Sequence, residues 1–164
     1  MTARKTRRIR WPATGDTMWL ASYHASKLSA GDVDEVMGPL QTAFTALREG
    51  VASEWHWSLA ASAVNTAKAI EQQGVVRGLH EHLQAADLAL ASIYKRAMKD
   101  AGWKATALYY LELDAITTAV ELHEYQLKQL SRGEMLRAIA LAQAEVKSSG
   151  GRVLQAGNLT RAEA

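Results

Sequence analysis

Histidines and carboxylates are the side chains in this chain best equipped for metal or acid–base chemistry, and their spacing is informative. The 164 residues include five histidines, 17 aspartates and glutamates, and no cysteine. Disulfides, iron–sulfur clusters, zinc ribbons and thiol catalysis are therefore excluded. His80 and His82 stand two apart, about 200° around a helix, and cannot grip one ion together. His80-Glu81 and His123-Glu124 both begin like a HExxH zinc site, but Gln84 and Leu127 occupy the place of the second histidine. A di-iron bundle needs Glu-x-x-His, and the residues three before each histidine are Ala21, Ser53, Arg77, Leu79 and Val120. No local motif holds a metal, so any such site would have to be assembled by the tertiary fold. The cofactor expectation is none.

His123 interrupts an apolar stripe between Val120 and Leu127. Two readings compete: a core histidine held by hydrogen bonds, or a general base or ligand served by Glu112, Asp114, Glu121 or Glu124. Glu124 precedes Lys128 by four, the spacing of a solvated ion pair. Nothing resembles a P-loop, a Gly-rich dinucleotide turn or a nucleophile elbow.

Binding chemistry is better represented. Arg4, Lys5, Arg7, Arg8 and Arg10 place five cations in the first ten residues, and Trp11 follows. The other 154 residues carry 14 basic and 17 acidic side chains, so a basic arm precedes a slightly acidic body. Such an arm neutralises phosphates with little regard to sequence, and Trp11 would stack on a base. The competing reading is a solvated basic tail, and an acidic protein would satisfy the same charge. Five tryptophans are present. Trp55 and Trp57, about 200° apart on a helix, cannot both enter one core face, which makes them candidates for a protein interface.

The elements that must position these groups read as helices. A segment over 16–29, capped by Asp16, aligns Met18, Ala21, Ala25 and Leu28. From Asp32, the apolar stripe Val33, Val36, Met37, Leu40, Phe44 and Leu47 keeps its phase across Pro39, which predicts a kinked helix rather than two. Ser53 starts a third segment ending near Gly74, kept thin by Ala60, Ala61, Ala67 and Ala69. Val76, Leu79, Leu83, Ala86, Leu90, Ile93 and Ala97 step by 3 and 4, a seam that no strand shows.

Residues 104–130 carry two seams: Leu108, Leu111, Ala115, Leu122 and Tyr125, and beside them Tyr109, Leu113, Ile116, Val120, Leu127 and Leu130. Two stripes require more than one neighbour, which predicts the central helix of the bundle, with Leu111 and Ile116 in its core. Met135, Ile139, Ala142 and Val146 mark a last helix.

The fold expectation is all-α: an antiparallel bundle of five to six helices over 16–147. A flexible basic arm (1–15) and a loose tail (148–164) frame it. No stretch approaches the ~20 apolar residues of a membrane span, and the basic start lacks the apolar segment of a secretory signal, so no membrane role and a cytoplasmic location are expected.

Two stretches add a resemblance. Arg7-Arg8-Ile9-Arg10-Trp11-Pro12 through Asp16-Thr17-Met18, and Gln73-Gly74-Val75-Val76-Arg77-Gly78-Leu79, are similar to small uncharacterised helical proteins of proteobacterial plasmids and prophages. The likeness implies an accessory or regulatory protein of a mobile element and brings no catalytic residues with it. The leading functional expectation is thus a non-enzymatic helical binding module. Its body would recognise a protein partner or itself as a homodimer, while its arm contacts DNA or RNA. The alternatives are an adaptor or inhibitor without nucleic-acid binding, and a metal-dependent or acid/base enzyme built on His123.

Overall fold

The computed structural model describes residues 14–99 and 102–150. Six helices hold 77% of them, and no strand occurs among the described residues. The helices are α1 (Thr14–Ala25), α2 (Ala30–Arg48), α3 (Glu54–Gln72), α4 (His80–Ala97), α5 (Tyr110–Gln129) and α6 (Arg132–Ser148). The basic arm at Arg4–Arg10, Trp11 and the tail beyond residue 150 lie outside the described residues.

Serine caps set three of the starts. Ser29 pairs with Asp32, Ser53 with His56, and Ser131 with Glu134, each satisfying amides that a helix start leaves open. At α3 the third-residue acceptor is an imidazole: the Ser53 amide donates to His56 Nδ1 at 3.1 Å. Helix α2 runs unbroken through Pro39. Helix α1 begins two residues before Asp16, so Asp16 is not its cap.

Helices α2 to α5 form the core bundle. Lys68 late in α3 reaches Asp87 of α4 at 3.1 Å, while Trp57 near the start of α3 packs on Tyr94 near the end of α4, so the two run antiparallel. Arg96 at the end of α4 meets Glu112 at the start of α5, which makes that pair antiparallel too. Leu47, Ile70, Leu83, Leu90, Ile93, Ile116, Leu127 and Leu130 are fully buried.

The central helix is α3, which packs on α2, α4, α5 and α6; α5 packs on α2, α3 and α4. The two-seam reading of α5 therefore misplaced the centre. The physical reason is backbone approach. Ala60, Ala67 and Ala69 are buried along α3 and let four neighbours come close. The seams themselves also shift. Leu111 is 76% exposed, and Tyr109 and Tyr125 are exposed as well. The buried residues of α5 are Glu112, Ile116, Ala119, His123, Gln126 and Leu127, so the second expected stripe keeps Ile116 and Leu127 and the first keeps no buried member. Residues 103–109 are not helical, because Glu112 turns back to cap the chain at Tyr109 (2.9 Å) and the Trp103 indole is tied to the Ala52 carbonyl (2.7 Å).

Beyond this bundle lie two further layers. Helix α6 buries Met135, Ala138 and Ala142 in the core cluster. Its other side, through Gly133, Leu136, Arg137 and Ala140, meets Ala21, His24 and Ala25 of α1. Helix α1 sits outside α6, so every residue from Thr17 to Ala25 is exposed. Of the aligned residues Met18, Ala21, Ala25 and Leu28, the first three are exposed and Leu28 is half-buried.

Candidate binding surface

The polar groups of α5 go to structural work. Arg96 donates to both oxygens of Glu112, at 2.5 and 2.6 Å, and also reaches Ser92 Oγ at 2.9 Å. Its guanidinium lies 4.3 Å from the centroid of the Tyr109 ring. Burial opposes the charge on Glu112, but the hydrogen bonds from Arg96 and the Tyr109 amide outweigh it and hold the carboxyl below its ordinary value. The hydrogen bond to Glu112 raises Arg96 in turn.

His123 lies eleven residues along the same helix, roughly 16 Å from Glu112 by the helical rise. It is 2% exposed. Burial drives its pKa down to about 4, which the neighbouring Gln126 side chain offsets only slightly. No hydrogen-bond partner meets His123 Nδ1 or Gln126 Oε1, while Gln126 Nε2 donates to the Ala67 carbonyl of α3 at 3.0 Å.

The carboxylates named as helpers of His123 are elsewhere. Glu112 belongs to Arg96, Asp114 and Glu121 are exposed, and Glu124 forms its i,i+4 pair with Lys128 at 2.6 Å. Among the described residues, no three histidines or carboxylates are grouped to hold a metal ion.

The tryptophans divide between internal and outer roles. Trp57 donates its indole N–H to the Leu90 carbonyl at 2.9 Å and packs against Tyr94 and Trp103, with ring centroids 4.8 and 6.3 Å away. This cluster closes one end of the bundle over the α4–α5 loop. Trp55, also half-buried, makes no ring contact or hydrogen bond with described residues.

The outer surface of α1 is different in kind. Met18 is 69% and Trp19 66% exposed, and Leu20 and Tyr23 are exposed beside them. Trp19 and Tyr23, one turn apart, stack at 5.4 Å with 15° between their planes. Arg132 lies 4.8 Å from the Tyr23 ring centroid and pairs with Asp32. That carboxyl is held below its ordinary value by Ser29 first and by Arg132 after it.

Two backbone bonds fix this corner: Leu28 N–H to the Leu130 carbonyl and Arg132 N–H to the Ser26 carbonyl, both 3.0 Å. Gly133 allows the approach, since a Cβ there would stand 3.1 Å from the His24 carbonyl oxygen. The result is an open groove of about 500 Å³ between α1 and α6, with Leu136 exposed on its rim.

No family model matches this chain, and no curated protein or solved structure does. Sequence reasoning aligned Met18 with Ala21, Ala25 and Leu28 on one helix face and gave no role to Trp19, Leu20 or Tyr23. The available signal was the density of large apolar residues over 18–23, which is more than one narrow stripe can bury. No helix among the described residues is long and apolar enough to cross a membrane.

Proposed function

We propose that this chain is a non-enzymatic helical binding module. Helices α2 to α5 are the scaffold, the α1–α6 flank is the protein-docking surface, and the basic arm contacts nucleic acid. The observation that carries this reading is the exposure of Met18, Trp19, Leu20 and Tyr23 on one helix. Large apolar side chains grouped on a surface mark interaction sites, and aromatic ones dominate the energy of such contacts.

Charge supports the second half. The first 29 residues contain six basic side chains (Arg4, Lys5, Arg7, Arg8, Arg10 and Lys27) against Asp16 alone. The cations therefore flank the apolar helix, while the rest of the body is acidic. Five phosphate contacts would give a log–log salt slope of about −4 to −5 on duplex DNA. The test is binding of the intact chain to DNA and RNA across a salt series, compared with a variant lacking residues 1–10. The expected result is a steep slope that the deletion flattens. Absence of binding at low salt would leave an adaptor or inhibitor that meets an acidic protein partner.

A further inference from the structure

We infer that α1 is a hinged strap that leaves α6 and unwinds, turning on a fixed pivot at Ser26–Leu28, while α2 to α6 stay folded. The inference concerns the motion of this flank and stands whether or not the flank docks a partner.

Little holds α1 closed. Its inner side, Ala21, His24 and Ala25, faces Gly133, Leu136, Arg137 and Ala140 of α6 across the open groove. Even these three inner residues are exposed, like the rest of Thr17 to Ala25. Alanine and glycine offer little apolar area at such a contact, and hydrophobic stabilisation scales with the area removed from water. Among the described residues, no member of the core cluster comes from α1. Trp19 and Tyr23 stack on each other rather than on the bundle core. The Arg132 guanidinium lies 4.8 Å from the Tyr23 ring centroid, but its ion pair is with Asp32 of α2 and survives the departure of α1. A 12-residue helix without cover is marginal in water, and Gly15 and Thr17 are poor helix formers in its first turn. Detachment and unwinding are therefore one event.

The pivot is built differently. The Leu28 amide donates to the Leu130 carbonyl and the Arg132 amide to the Ser26 carbonyl, on either side of the Lys27–Ser131 bridge. Leu28 packs against the core cluster, and the Ser29 cap of α2 follows at once. The chain is thus clamped to the start of α6 just after α1 ends, so α1 leaves without pulling on α2. Opening bares the outer side of α6, where Leu136 and Leu141 are already exposed. The residues of α1 span about 18 Å as a helix and up to about 40 Å as extended chain, so opening also lengthens the tether that carries Arg4 to Arg10.

Hydrogen exchange of the full chain tests this. Corrected for intrinsic rates, the amides of residues 18–25 should exchange about 100-fold or more faster than those of Ala67 to Ile70 in α3. Sub-denaturing urea should leave the α1 rate unchanged and speed the α3 rate. Because the chain has no cysteine, His24→Cys combined with Gly133→Cys allows a single disulfide. A Cβ on Gly133 would stand 3.2 Å from that of His24, within a few tenths of an ångström of disulfide spacing. Oxidation of this variant should slow exchange in α1 by about tenfold or more, and reduction should restore it. A common rate and urea dependence for α1 and α3 would overturn the strap. Equal α1 exchange in the oxidised and reduced variant would overturn it too, because α1 would then fray in place.

Discussion

Helix α3 buries small residues, whereas α1 exposes large ones. The first lies at the centre of the bundle on Ala60, Ala67 and Ala69, with four helices against it. The second carries Met18, Trp19, Leu20 and Tyr23 and rests on the outer side of α6. Apolar payload and central position are thus separate properties. A helix becomes central when its backbone can be approached from several sides, and bulky side chains prevent that. Large apolar residues on a peripheral helix have no core to fill and remain available to a partner.

The contrast is sharpest at two leucine-type positions on α5. Ile116 is fully buried and Leu111 is exposed, although both belonged to the expected core. Ile116→Asp should cost about 4 kcal/mol or more by leaving an unpaired charge in the bundle, and the variant should be unfolded by circular dichroism. Leu111→Asp should shift stability by no more than about 0.5 kcal/mol. Comparable losses at both sites would mean that the rotation of α5 is wrong.

A smaller effect is expected at the Arg96–Glu112 pair. Glu112→Ala removes both oxygens from a guanidinium whose side chain is 18% exposed and frees the Tyr109 amide. A loss of about 2–4 kcal/mol in urea unfolding is expected, less than for a fully buried pair because water reaches part of Arg96. Loss under about 1 kcal/mol would assign Glu112 to the surface.

His123 gives a pH-dependent prediction of similar or lesser size. Its folded pKa, about 4, lies below the ordinary 6.5, so the unfolded chain takes up the proton first. Stability from this group is full above pH 6.5 and falls as the pH drops toward 4, by up to about 3 kcal/mol. The lowered carboxyls of Asp32, Glu112 and Glu134 act in the same direction but below their ordinary values, near pH 4. Between pH 6.5 and 4.5 the slope is therefore mainly that of His123, and His123→Gln should flatten it. An unchanged slope in that variant would place the titration elsewhere.

These positions also show how far sequence reasoning reached. The 3–4 seam of α4 was legible because Leu83, Ala86, Leu90, Ile93 and Ala97 are all apolar and all buried. The buried line of α5 keeps the same spacing from Glu112 through Ile116, Ala119 and His123 to Gln126, yet three of its members are polar. Periodicity reads hydrophobicity, so it took in the exposed Leu111, Tyr109 and Tyr125 and passed over the buried polar members. Partners distant in sequence decide such positions: Arg96 for Glu112, and the Ala67 carbonyl for Gln126. At α1 the spacing alone gave a helix but no information on whether the bundle had room for it.

The division between scaffold and docking flank meets its most direct test in the melting temperature of Trp19→Ser beside that of the wild type. Trp19 is 66% exposed and touches Tyr23 rather than the core. A surface substitution of this kind shifts stability by no more than about 0.5 kcal/mol, a few degrees at most in a domain of this size. The variant should therefore melt with the wild type. A clearly lower melting temperature for Trp19→Ser would contradict the division, because it would make the α1 surface part of the scaffold.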